Sequence, residues 1–147
     1  MFSEYNYNNF PQVLVKFNGN IKDDKDYYQF INKWLELYAD KKEYNFLFDT
    51  RDISLINISY AHKVSSFIKE LKKLDKQWLT FSIIIVNSKF VRGLLSLIFK
   101  ISKPVAPVYI VSSNNIDNVD IYVKNMYSKI INKESLDEFE YAFISPS

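Results

Sequence analysis

Hydrophobic positions along the chain fall into short runs of extended character alternating with longer stretches of helical repeat. Tyr5 to Asn9 forms a polar and aromatic lead that suits a short edge strand, and Val13-Leu14-Val15-Lys16-Phe17 predicts a strand ending at the Asn18-Gly19-Asn20 turn. Asp23 or Asp24 is positioned to cap a helix in which Tyr27, Phe30, Ile31, Trp34, Leu35 and Tyr38 recur at helical spacing. Tyr44 to Phe48 is apolar on both faces, as expected of a buried parallel strand, and ends at the polar run Asp49-Thr50-Arg51-Asp52. From Ser59 to Leu74 a single stripe (Ala61, Val64, Phe67, Ile68, Leu71, Leu74) predicts a second helix, with lysines on its remaining surface.

Leu79 to Val86 is the most β-branched apolar run and belongs at the centre of a sheet. A third helix is expected from about Ser88 to Ile101, stopped by Lys103-Pro104, because the residue before a proline avoids the α region. Val108 to Val111 predicts a further strand, and Asn114-Asn115 opens a fourth helix whose Val119, Tyr122, Val123, Met126 and Ile130 share a face. From about Asn132 the chain reads as a short helix around Leu136 to Phe139 followed by a frayed tail. Strand and helix thus alternate four times. The expectation is one α/β domain over residues 1–147, with a mainly parallel, mixed sheet of four to five strands flanked by about four helices.

Size and composition agree with a single core. A chain of 147 residues buries about 68–70% of its unfolded surface, and 12 Phe and 11 Tyr supply much of the apolar area needed. With no cysteine, disulfides, thiol catalysis and cysteine zinc sites are excluded. The N-terminal residues lack the basic flank and apolar run of a signal peptide, and no stretch reaches ~18 uninterrupted apolar residues, so a soluble, cytoplasmic protein is expected. A net charge of +2 is too balanced for a nucleic-acid binder that works by phosphate neutralisation. Gly19 and Gly93 stand alone, so there is no glycine-rich phosphate loop.

Candidate chemistry concentrates between Phe46 and Tyr60, where a strand end meets a helix N-terminus, the usual place for ligands in α/β folds. Asp49 and Asp52 flank Arg51, a grouping suggestive of phosphotransfer or a metal site. Arg51, however, holds the place two residues after Asp49 where a second carboxylate is needed. The favoured reading is an aspartate that caps amides and pairs with arginine. His62 is the sole histidine, with Ser59 and Ser65 three residues to either side, yet no nucleophile elbow accompanies them. Ser59 reads first as a helix cap and second as a phosphosite, with Asn57 beside it. No cofactor or metal site is expected.

The third helix carries Val91, Leu94, Leu95, Leu97, Ile98, Phe99 and Ile101, with Arg92, Lys100 and Lys103 as its cations. One face of a flanking helix cannot hide so many apolar side chains. A second copy of the chain, the C-terminal segment around Phe139, Tyr141 and Phe143, or a membrane surface would have to cover the remainder.

Three segments resemble one family. Phe17-Asn18-Gly19-Asn20-Ile21 is similar to its strand-to-glycine turn before the first helix, and Phe46-Leu47-Phe48-Asp49-Thr50-Arg51 to its strand ending in an Asp-Leu-type pair. Val91-Arg92-Gly93-Leu94 resembles its third-helix entry. The family is that of STAS-like domains, the SpoIIAA-like and anti-sigma-factor-antagonist type. In its regulatory members an Asp-Ser-Ser-Gly stretch opens the second helix and its second serine is phosphorylated. The matching residues here are Asn57-Ile58-Ser59-Tyr60, so Ser59 alone keeps its type. The resemblance implies a non-catalytic, regulatory protein-interaction module that docks a protein partner through the second-helix N-terminus and the third helix. Ser59, Asn57, Asp49, Arg51, Arg92, Leu95 and Phe99 are its candidate contact residues. The alternatives are a small enzyme using Asp49, Asp52, Ser59 and His62, or a domain that binds lipid or a membrane surface.

Overall fold

A computed structural model describes all 147 residues. Ten elements follow one another: β1 (Ser3–Asn6), β2 (Gln12–Gly19), α1 (Asp24–Ala39), β3 (Tyr44–Ile53), α2 (Ile58–Leu71), β4 (Leu79–Val86), α3 (Lys89–Ile101), β5 (Val108–Ser112), α4 (Val119–Ile131) and β6 (Ala142–Ile144). The strands form one sheet in the order β1-β2-β3-β4-β5-β6. β2 to β5 are parallel, and β1 and β6 close the two edges antiparallel to their neighbours.

The crossovers from β2 through β5 each step one strand in the same direction, so connections of one hand place α1, α2 and α3 on the same face. There Val13, Val15 and Phe17 of β2, Phe46 and Phe48 of β3, and Ile84 and Val86 of β4 meet the apolar stripes of the helices. The packing is strongly aromatic. Trp34 of α1 lies edge-on to Phe46 at 5.1 Å and to Phe67 of α2 at 5.0 Å between ring centres, tying two helices to the sheet. α2 and α3 approach each other over Ala61 and Ser65. The Ser65 hydroxyl donates to the Ala61 carbonyl at 2.9 Å and also lies 3.3 Å from the Ile98 carbonyl across the helix pair.

α4 covers the opposite face. Phe81, Ile83 and Ile85 of β4 and Val111 of β5 pack against Val119, Val123 and Met126. Its shelter extends to Leu47 of β3 but not to the other end of the sheet, where Glu4, Asn6 and Lys16 remain exposed.

The structure corrects several expectations. The sheet has six strands rather than four or five. β3 does not stop at Asp49 but runs through Thr50, Arg51 and Asp52 to Ile53, paired with β2 as far as Gly19 opposite Ile53. Polar residues are tolerated there because Thr50 satisfies its hydroxyl on the Ile85 carbonyl at 2.6 Å, while Asp49 and Arg51 face the margin of α4 and bond to each other. The first edge strand occupies Ser3–Asn6, not Tyr5 to Asn9. α2 ends at Leu71, leaving Leu74 outside the helix and half exposed.

α4 starts at Val119 under an Asn118 cap rather than at Asn114-Asn115. The tail is no frayed end. It turns at Leu136–Phe139 and then adds β6 to β5, with Tyr109 opposite Phe143. It therefore does not cover α3: Phe139 packs on Tyr122 of α4, and Tyr141 and Phe143 pack on Tyr109 of β5.

Candidate functional site

Two groups of residues gather at the carboxyl ends of the parallel strands. The first is a cluster of charges on the α4 side. Arg51 donates from Nε to Asp49 Oδ1 at 2.9 Å and from Nη2 to Asp49 Oδ2 at 2.8 Å, and it reaches Asp120 in the first turn of α4 at 3.1 Å. The Arg51 amide adds a third hydrogen bond to Asp49 at 3.1 Å. Asp49 is only 8% exposed. Burial pushes its carboxyl pKa up, but the hydrogen bonds and charge of Arg51, with the charge of Lys16, outweigh this and hold it below the usual carboxylate range. Hydrogen bonding to Asp49 likewise raises the pKa of Arg51. Asp52 pairs instead with Lys16 on β2 at 3.3 Å, with both side chains largely in water. The Asp49 carboxylate is thus occupied on both oxygens and held in its ionised form, which suits a structural brace and not a general base.

The second group surrounds the N-terminus of α2. Asn57 is the cap, its side-chain oxygen accepting from the Ser59 amide at 2.9 Å. The expectation that Ser59 caps the helix is corrected on this point: Ser59 lies one residue inside the helix and is exposed. The cap falls on Asn57 because its extended backbone directs the amide oxygen at the first free N–H groups. Asn20 holds the preceding loop by accepting from the Leu55 amide at 2.8 Å and from the Ser54 hydroxyl. Asp24 at the start of α1 accepts from the Tyr60 hydroxyl at 2.9 Å and from Lys63 at 3.1 Å, and these bonds lower its pKa. Lys63 also lies over the Tyr27 and Tyr60 rings.

Ser59 and His62 belong to α2, on the face of the sheet opposite the Asp49 cluster. No hydrogen bond joins either side chain to Asp49 or Asp52, and His62 is exposed. The four residues of the enzyme alternative are therefore not brought into one pocket. No group of three or more His, Asp or Glu side chains is placed to hold a metal ion. Arg92, near the start of α3, donates to the Ser112 hydroxyl at the end of β5.

Beneath the three helices lies a cavity of about 150 Å³. Leu95 and Phe99, expected from the sequence to face a partner, form part of its wall, with Trp34, Val64 and Ile84 among the others. Sequence reasoning missed this cavity, since most of its wall residues read as ordinary core and Leu95 and Phe99 as surplus surface. Part of its wall is half-buried, including Ile21, Ile53, Ile56 and Tyr60 near the α2 N-terminus and Leu94 and Phe99 on α3. No helix of the protein is long and apolar enough to cross a membrane.

Comparison with protein-family models, with curated proteins and with solved structures finds no match to this chain.

Proposed function

We propose that the chain is a non-catalytic, STAS/SpoIIAA-like interaction module that docks a protein partner through the N-terminus of α2 and the adjoining surface of α3. The observation that carries this reading is the exposure of Leu55 (67%) and Ile58 (59%) on either side of the Asn57 cap. Two large aliphatic side chains held in water by an ordered loop are costly unless something covers them. Both α2 and α3 begin at the carboxyl ends of parallel strands, so Leu55 and Ile58 stand at the same end of the domain as Arg92, with Asn57 and Ser59 supplying a polar rim.

Ser59 has no hydrogen bond from its hydroxyl and is open to a modifying enzyme. A phosphate there would lie at a helix N-terminus, tolerated by the dipole, and would change the surface the partner meets. A second copy of the chain is one partner this surface could accept.

The test is recovery of a bound protein from cells of the native host with the intact chain and with a Leu55→Asp/Ile58→Asp variant. A specific protein retained by the intact chain and lost with the folded variant supports the reading. Absence of any specific partner under gentle conditions, with a strictly monomeric chain by light scattering at all concentrations, overturns it. Flotation of the chain with anionic vesicles, lost in the same variant, would replace the protein partner by a membrane surface.

A further inference from the structure

We infer that the C-terminal ends of α2 and α3, with the loops that follow them, form one surface that docks on anionic lipid membranes. It lies at the opposite end of α2 from Leu55 and Ile58, so the inference is independent of the docking surface proposed above.

The fold brings the two ends together. α2 and α3 each run from the carboxyl end of one parallel strand to the amino end of the next, so they point the same way. They touch where the Ser65 hydroxyl meets the Ile98 carbonyl. From that level α2 continues to Leu71 and α3 to Ile101, and at 1.5 Å per residue the two helices end within about 5 Å of the same height. The loops over 72–78 and 102–107 then enter β4 and β5, which are neighbours in the sheet, with the Ser82 amide donating to the Pro107 carbonyl at 2.9 Å.

This end is strongly basic. Lys69, Lys72, Lys73, Lys76, Lys100 and Lys103 are all exposed there, and Glu70 and Asp75 are the acidic residues among them. Lys73 bonds to Glu70 at 3.0 Å, while the other five lysines make no ion pair. The negative ends of the helix dipoles account for Lys69 and Lys100, which lie in last turns, but not for the four lysines beyond them. Elsewhere at the same end cations are matched: the turn Asp40-Lys41-Lys42-Glu43 balances its own charge, and Lys129 pairs with Glu134 and Glu138. A chain whose net charge is only +2 thus concentrates its positive charge on this one surface.

Apolar side chains among the lysines select a membrane over a nucleic acid. Leu74 is 49% exposed and Ile101 44%. Trp78 is half-buried, with the Lys76 ammonium 5.1 Å from its ring centre. Leucine, isoleucine and tryptophan set among lysines suit the boundary between lipid headgroups and acyl chains, and clusters of four to eight cations are of the size that anionic lipids attract. Arginine, the residue best shaped for nucleic-acid recognition, is missing here; Arg51 and Arg92 both lie elsewhere.

Flotation of the purified chain with phosphatidylcholine vesicles, with and without phosphatidylserine, tests the inference. Binding is expected only when phosphatidylserine is present, and it should be lost in 1 M salt, where the screening length falls from about 10 Å at 0.1 M to about 3 Å. Each lysine near an anionic surface strengthens binding about fivefold, so Lys72→Gln/Lys76→Gln/Lys100→Gln/Lys103→Gln should bind at least about a hundredfold more weakly, with the fold retained by circular dichroism. Leu74→Ser should weaken binding without changing its salt dependence. Leu55→Asp/Ile58→Asp should float as the native chain does.

The native protein supplies a readout that needs no variant. Its tryptophans are Trp78 and the buried Trp34, so vesicles of brominated phosphatidylserine should quench the emission of Trp78. Equal flotation with and without phosphatidylserine, undiminished binding of the lysine variant, or no quenching would each overturn the inference. Tighter binding to a single-stranded RNA oligonucleotide than to the vesicles would overturn it in favour of a nucleic acid. Flotation lost in Leu55→Asp/Ile58→Asp but kept in the lysine variant would overturn it in favour of the α2 N-terminus.

Discussion

Arg51 clasps Asp49, two positions earlier on the same face of β3, through nitrogen–oxygen contacts of 2.9 and 2.8 Å. The pair explains how a strand can carry a nearly buried carboxylate, since every oxygen of Asp49 has a donor. Removing the cation would strand the charge. Arg51→Met should therefore destabilise the fold by roughly 2–4 kcal/mol, more than an exposed ion pair contributes, because the remaining carboxylate is desolvated and unpaired. Urea denaturation of the two proteins measures the difference, and a loss below about 0.5 kcal/mol, the scale of an exposed pair, would show that the brace is unimportant.

The same pair sets an acid dependence. The native pKa of Asp49 is held below its unfolded value, so its contribution to stability is complete above about pH 4, the ordinary aspartate value. It is lost as the pH falls through the lower native pKa. Asp49→Asn should flatten the acid limb of the stability curve and leave its slope near neutrality unchanged. Equal acid slopes for both proteins, measured by thermal melting from pH 7 downward, would rule out this role.

At α2 the cap is Asn57 and not Ser59, and the two substitutions should separate. Asn57→Ala should cost about 1 kcal/mol, the usual value of a helix cap, and Ser59→Ala much less. Ser59→Glu should be tolerated, since a negative charge in the first turn interacts favourably with the helix dipole. Chemical denaturation checks all three, and the opposite ranking of Asn57→Ala and Ser59→Ala would return the cap to the serine.

Trp34 connects α1 to β3 and α2 through its contacts with Phe46 and Phe67. Trp34→Ala should cost about 3–5 kcal/mol, as large-to-small changes of buried aromatic residues do. Guanidinium unfolding followed by circular dichroism gives the value. A cost under 1 kcal/mol would mean that α1 is held chiefly by its other aromatic contacts.

Truncation after Glu140 removes β6 and bares the outer edge of β5. Unpaired strand edges template association with other chains. The shortened protein should show more extensive concentration-dependent assembly by light scattering than the full chain, and a truncated chain that stays as dispersed as the parent would argue that β5 needs no cover.

Hydrophobic spacing in the sequence is enough to place four helices and the central strands, because each of those patterns is local. The run Phe81 to Val86 is strand-forming by composition, and the stripe from Tyr27 to Tyr38 is helical by its repeat. What the sequence could not decide is non-local. Asp49 to Asp52 looks like a loop until β2 is seen alongside it as far as Gly19, and until Arg51 is seen to neutralise Asp49 under the margin of α4.

The tail gains its strand only because β5 offers a free edge, and β6, three residues long, carries too little pattern to announce itself. Leu95 and Phe99 read from the sequence as surplus apolar surface on a helix, whereas packing sets them on the wall of a cavity. Periodicity reports which face of an element turns away from water. Whether that face meets close-packed side chains or borders a cavity depends on how far three helices stand from a sheet, which only their tertiary arrangement determines.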